Sequence, residues 1–101
     1  MLDGSDDLIV TPTSNGWTIE GELDAHTAVQ LAELVGAVDG ADDLVLDVGG
    51  VSFVDSSGIR TLLRMADQTR EAGSRLIVTH PTPAFLRTLE ISGLIGHLII
   101  E

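Results

Sequence analysis

The residues best placed to do chemistry are Asp55-Ser56-Ser57-Gly58, two adjacent hydroxyls between a carboxylate and a glycine. Directly after them, Ile59, Leu62, Leu63 and Ala66 fall at helix-face spacing, so the hydroxyls stand where a helix begins. The first backbone N–H groups of a helix are unpaired and its macrodipole is positive there, so the position tolerates an anion. Two chemistries fit. A serine there caps the helix, or it accepts a phosphoryl group. A capping box needs Glu or Gln three residues after Ser56, but that position is Ile59. A second hydroxyl also exceeds what one cap requires. Residue chemistry alone leaves both readings open.

Other chemistries find less support. A hydrolase would use Ser56 or Ser57 as nucleophile and His26, His80 or His97 as base. The G-x-S-x-G elbow is absent, however, and nothing in the sequence ties a histidine to the serines. His26 near a helix start and His97 in an apolar strand fit capping and surface roles. Phosphorylation on aspartate, as in response receivers, uses clustered carboxylates holding Mg²⁺ and, in those proteins, a lysine. This chain has no lysine, and Asp6-Asp7 and Asp42-Asp43 read as solvated charge at a terminus and in a loop. Gly49-Gly50 belongs to neither G-x-x-x-x-G-K-[ST] nor G-x-G-x-x-G and reads as a tight turn. No catalytic residue, resident metal or cofactor is expected.

The elements that must position the motif are legible from period and punctuation. Met1–Asp7 is a polar, acidic start. Leu8–Val10 reads as a short strand, and Pro12 to Asn15-Gly16 as a hairpin turn. Trp17–Leu23 alternates apolar with polar, a strand with one wet face. Ala28, Leu31, Val35 and Val38 form a helical stripe within Asp24–Val38, with Gly40 as C-terminal cap. Strand Asp43–Val48 and the short apolar bridge Val51–Val54 lead into a helix from about Ser56 to Ala72, closed by Gly73. Arg75–Thr79 is a strand. Thr82-Pro83 opens a helix through Phe85, Leu86 and Leu89 that stops at Gly93, with Leu94 completing a Schellman contact. His97–Ile100 is a last strand. The order β-β-α-β-α-β-α-β predicts an α/β layer with right-handed parallel crossovers and an antiparallel edge from the first hairpin.

Composition narrows the partners. The chain has 101 residues, 44% of them hydrophobic but only three aromatic, which suits one domain burying ~65% of its unfolded surface in an aliphatic core. There is no cysteine, hence neither disulfide nor thiolate metal site. Five Arg and no Lys stand against sixteen acidic residues, a formal charge of −11. That balance lacks the footprint for nucleic acid and is repelled by anionic membranes, whereas a partner with a basic patch is attracted. No apolar run reaches the ~18 residues that span a bilayer, and the acidic start is no signal peptide. A soluble, cytoplasmic protein is expected.

Three segments in order resemble the STAS family, and more narrowly its bacterial anti-sigma factor antagonists. They are Gly21-Glu22-Leu23-Asp24, the run Asp47-Val48-Gly49-Gly50-Val51-Ser52-Phe53-Val54-Asp55-Ser56-Ser57-Gly58, and Ile91-Ser92-Gly93-Leu94. The resemblance covers nearly the whole chain and implies a single STAS domain over 1–101. Its fold would be a mixed, mostly parallel sheet of 4–5 strands with helices mainly on one side. It also implies partner switching in transcription regulation. The unphosphorylated antagonist binds an anti-sigma factor that is a serine kinase, frees a sigma factor, and is released when that kinase phosphorylates it. A PP2C-type phosphatase restores it. Matched residue by residue, Ser56 is the acceptor, with Asp55 at the kinase interface and Asp24 on the same rim. Ser57, Gly58 and Arg60 complete the expected partner surface. Nucleotide and Mg²⁺ would belong to the kinase.

The chain departs from the family at Gly58-Ile59-Arg60, where Gly-Leu-Gly is common. Arg60 adds bulk and charge, and sits at i, i+4 spacing to pair with a phosphate on Ser56. The chain also stops right after the last strand, where many relatives continue into another helix. An alternative within the resemblance is a STAS subunit regulating a membrane transporter, of the lipid-transport ABC or anion-transporter type. A small-ligand sensor is a third possibility, for which the sequence names no pocket.

Overall fold

The computed structural model of the protein describes residues 8–35 and 43–101. The expected Val38 and Gly40 helix end, the Asp6-Asp7 pair and Asp42 lie outside them. In chain order the elements are β1 (Ile9–Pro12), β2 (Gly16–Leu23), α1 (Ala25–Val35), β3 (Leu44–Val54), α2 (Ser56–Glu71), β4 (Leu76–Thr79), α3 (Pro83–Ile91) and β5 (Ile99–Ile100). This is the predicted order. The five strands lie side by side in sequence order, β1 antiparallel to β2 and the rest parallel. Each parallel crossover steps to the next neighbour in the same direction. Right-handed connections therefore place α1, α2 and α3 on one face of the sheet, and α1 packs on α2 and α2 on α3.

Period explains the core. On β2 Ile19 and Leu23, on β3 Leu46 and Val48, and on β4 Leu76 and Val78 point at the helices and are buried. They meet Ala28 and Leu31 of α1, Ile59, Leu62 and Met65 of α2, and Phe85 and Leu89 of α3. Local chemistry sets most boundaries. Thr13 donates its N–H to Gly16 O at 2.8 Å across the hairpin. The Thr82 hydroxyl accepts Phe85 N–H at 3.1 Å, with Pro83 at the first helical position, as the sequence predicts. α3 ends in the expected Schellman motif, Gly93 N–H to Glu90 O and Leu94 N–H to Leu89 O, both 3.0 Å, with Gly93 at φ 71°.

Two local expectations change. Gly49-Gly50 is not a tight turn, because β3 runs unbroken from Leu44 to Val54. The glycines answer a steric need instead. A Cβ at Gly50 would lie 2.6 Å from Glu20 Cγ on β2, at a point where the β2–β3 register shifts. His97 is not in a strand either. Residues Ile95–His97 form one 3₁₀ turn, held by His97 N–H to Leu94 O at 2.9 Å, and β5 keeps only Ile99–Ile100.

Candidate functional site

Parallel strands deliver the following helices to one end of the sheet, and the candidate residues collect there. β2 and β3 end as neighbours, Leu23 opposite Val54, so Asp24 and Asp55 follow side by side. Asp55 N–H donates to Leu23 O at 3.2 Å and ties the two strand ends together. At α1, Asp24 Oδ1 accepts the N–H groups of His26 and Thr27, both at 2.9 Å, while the Thr27 hydroxyl accepts Asp24 N–H at 3.0 Å. Thr27 N–H is the main reason the Asp24 carboxyl lies below its ordinary range, so it is a carboxylate at neutral pH. His26, a candidate base in the sequence, is exposed beside this cap.

At α2 the geometry assigns the cap. Asp55 is the N-cap, extended at φ −116° and ψ 179°, and its Oδ1 accepts Gly58 N–H at 2.9 Å. Ser56 is therefore the first helical residue, exposed, and among the described residues its hydroxyl makes no intramolecular hydrogen bond. Ser57 is half-buried, and its carbonyl accepts the Thr61 hydroxyl at 3.2 Å. The cap belongs to the aspartate. One prediction follows. Asp55→Ala should cost about 1 kcal/mol by orphaning Gly58 N–H, with Asp55→Ser closer to wild type, read by urea denaturation. An alanine variant as stable as wild type would mean that a serine hydroxyl carries the cap after all.

Gly58 faces inward. A Cβ there would lie 2.5 Å from Leu23 O and 2.9 Å from Leu23 Cγ, so glycine lets α2 start flush against the end of β2. Below it, Ile59, Leu62, Met65 and Thr69 form the buried stripe that fixes the rotation of α2 and turns Ser56 outward. The Thr69 hydroxyl donates to Met65 O at 2.7 Å. Arg60 and Arg64 point outward on the side towards α1, where they line a groove with Ala25, Val29, Ser57 and Thr61.

The sequence reading thus brings Asp24, Asp55, Ser56 and Ser57 to one rim, with Gly58 beneath and Arg60 beside them. It missed Arg64 and Phe53. Arg64 was signalled by its i+4 spacing from Arg60. Phe53, 48% exposed two residues before Asp55, is an uncovered aromatic at the same end of β3. The remaining histidines are occupied elsewhere. His80 Nδ1 lies 3.2 Å from Asp47 Oδ2, on a residue in the left-handed region at φ 56°, and His97 lines a groove with Leu63, Asp67, Arg70 and Gly96.

Comparison with known proteins agrees with this architecture. Residues 13–101 match the family model described as Mlab, STAS domain. The chain belongs to the STAS domain family. It is 34% identical over 80 residues to a Bordetella bronchiseptica protein named as an anti-sigma factor antagonist, BtrV, covering 77% of this chain and 69% of that one. It is 29% identical over 77 residues to an anti-sigma F factor antagonist of Lysinibacillus sphaericus, covering 73% of this chain and 66% of that one. Among solved structures, the anti-sigma factor antagonist SpoIIAA in its unphosphorylated form superposes with TM-score 0.68 at 24% identity, covering 93% of this chain and 87% of SpoIIAA. An RsbS of Moorella thermoacetica with serine replaced by glutamate superposes with TM-score 0.66 at 21% identity, covering 93% of this chain and 85% of RsbS. At such identities the superpositions establish the fold. No helix among the described residues of this STAS domain is long and apolar enough to cross a membrane.

Proposed function

We propose that this STAS domain is an anti-sigma factor antagonist that works by partner switching in the bacterial cytoplasm. Unphosphorylated, it binds an anti-sigma factor that is a serine kinase. The γ-phosphoryl of the kinase's ATP then passes to Ser56 Oγ, ADP remains, the hydroxyl proton is released, and the partner departs. A PP2C-type phosphatase hydrolyses the phosphoserine and resets the cycle. One observation supports this most: Asp55 satisfies the helix cap, which leaves the exposed Ser56 hydroxyl without a structural task. The two sequence relatives named as antagonists support the same role. Asp24 and Asp55 form the acidic rim that meets the partner, Ser57 and Arg60 flank the acceptor, and Gly58 keeps α2 seated.

The magnitudes suit a switch. Phosphoserine carries about −1.5 to −2 charges. A partner carboxylate ~6 Å away repels it by roughly 4–5 kcal/mol at an effective dielectric near 20, and by about 1 kcal/mol in water-like surroundings. Tenfold in affinity needs only ~1.4 kcal/mol. Within the domain, the positive end of α2 favours the new charge by ~0.3–1 kcal/mol. The partner is ejected and the carrier stays folded. Incubation with the cognate kinase and ATP, followed by phosphosite mapping, should place one phosphate on Ser56. A label confined to any other residue would overturn the assignment.

A second reading is a subunit regulating a membrane transporter. The matching family model, described as Mlab, STAS domain, fits either role. A stable complex with a permease or its ATPase, combined with no phosphate uptake from any anti-sigma kinase, would establish it instead.

A further inference from the structure

Cationic side chains are scarce in this chain, five Arg against sixteen acidic residues. Two of the five are committed, Arg70 to Asp67 at 2.6 Å and Arg75 to Asp43 at 2.8 Å. Among the described residues Arg60 and Arg64 have no ion pair, yet both face the groove between α1 and α2. Residues 57, 60, 61 and 64 follow i, i+3, i+4, i+7 spacing and so share one helix face. The groove has a volume of about 270 Å³, and among the described residues its lining is two arginines, two hydroxyls, Ala25 and Val29, with no carboxylate. Val29 is 56% exposed on the α1 wall. Like charges at i, i+4 disfavour the isolated helix, so the arrangement lacks an anion that the described residues do not supply.

We propose that this groove docks an acidic segment of the anti-sigma partner, whose carboxylates pair with Arg60 and Arg64 while an apolar side chain covers Val29. The inference rests on the partner-switching reading and adds a contact surface to it. The domain then presents two opposite charges side by side, the carboxylates of Asp24 and Asp55 at the rim and the guanidiniums of Arg60 and Arg64 one and two turns further along α2. A partner with the complementary basic-then-acidic pattern seats in one orientation only. Guanidinium–carboxylate pairs are strong when bidentate, which suits arginine here. Arg60 also lies at i+4 from Ser56, so a phosphoryl group there competes with the partner's carboxylate for the same guanidinium.

Titration of the unphosphorylated domain with its cognate histidine-kinase-like anti-sigma ATPase tests this. Arg60→Glu and Arg64→Glu should each weaken Kd by about tenfold or more, because each leaves a partner carboxylate facing a like charge. Arg60→Lys, which keeps the charge, should lose less. Arg87→Glu is the control. It reverses an exposed arginine on α3 that has no ion pair among the described residues, and should change Kd by about twofold at most. Circular dichroism checks that each variant folds. Equal effects of all three glutamate variants would reduce the groove to general charge steering and overturn the proposal. So would unchanged affinity for Arg60→Glu and Arg64→Glu. Loss of a dimer in these variants by light scattering would assign the groove to a second copy, and loss of binding to phosphatidylglycerol vesicles would assign it to lipid. Either result overturns it. A wild-type domain that ignores the kinase altogether would overturn the partner-switching reading itself, a distinct outcome.

Discussion

With Ser56 replaced by alanine, the domain should take up no phosphoryl group from the proposed anti-sigma kinase and should melt within about 4 °C of wild type. The two halves of that result have separate causes. Acceptance should disappear because Ser56 carries the exposed hydroxyl at the start of α2, whereas Ser57 is half-buried within the first turn. Stability is retained because Asp55, not Ser56, holds Gly58 N–H. An exposed first-turn position tolerates alanine, and surface changes of this kind stay within about ±0.5 kcal/mol. Phosphate incorporation and thermal denaturation measured on the same preparation check both halves. If Ser56→Ala lowers the melting temperature by well over ~4 °C, the hydroxyl has a structural task. If label persists at wild-type level, the acceptor lies elsewhere.

Gly58→Ala has the second large effect, and in the direction opposite to helix propensity. Alanine normally favours a helix over glycine by about 1 kcal/mol. Here the added Cβ would lie 2.5 Å from Leu23 O, a carbonyl already fixed by the Asp55 N–H at 3.2 Å. Neither backbone can yield without loosening the joint between β2, β3 and α2. Overpacking of this kind costs about 1–3 kcal/mol, and the larger, β-branched Gly58→Val should exceed it. A net loss of about 1–2 kcal/mol for alanine lowers the melting temperature by roughly 4–8 °C per kcal/mol in a domain of this size. The same displacement shifts Ser56 against Asp24, so phosphorylation should slow alongside. A Gly58→Ala domain more stable than wild type would contradict the close approach.

What the sequence made legible was local. The Asn15-Gly16 hairpin, the Thr82-Pro83 start, the Gly73 and Gly93 stops and the alternation of strands with helices each depend on a few neighbouring residues, and the structure shows all of them. The misreadings are non-local. Gly49-Gly50 resembles a turn until Glu20 on the adjacent strand is seen lying over Gly50. His97 continues an apolar run by composition, but Leu94 pulls its N–H into a 3₁₀ turn. The cap went unassigned because Asp55, Ser56 and Ser57 are all good caps, and only where the first helical residue falls decides between them. The groove of Arg60 and Arg64 was invisible for a similar reason. Its other wall, Ala25 and Val29, is brought there by α1 packing on α2.

Two properties of Ser56 together make a switch of this kind possible: its hydroxyl is exposed, and the fold does not need it. The most direct measurement is a calorimetric titration of the anti-sigma kinase with unmodified domain and with domain stoichiometrically phosphorylated on Ser56, alongside amide NMR spectra of both. The expected outcome is an affinity at least about tenfold weaker for the phosphorylated form, with amide shifts confined to the rim of Asp24, Asp55 and the first turn of α2. Equal affinities, or a phosphorylated domain whose spectrum collapses throughout, would contradict it.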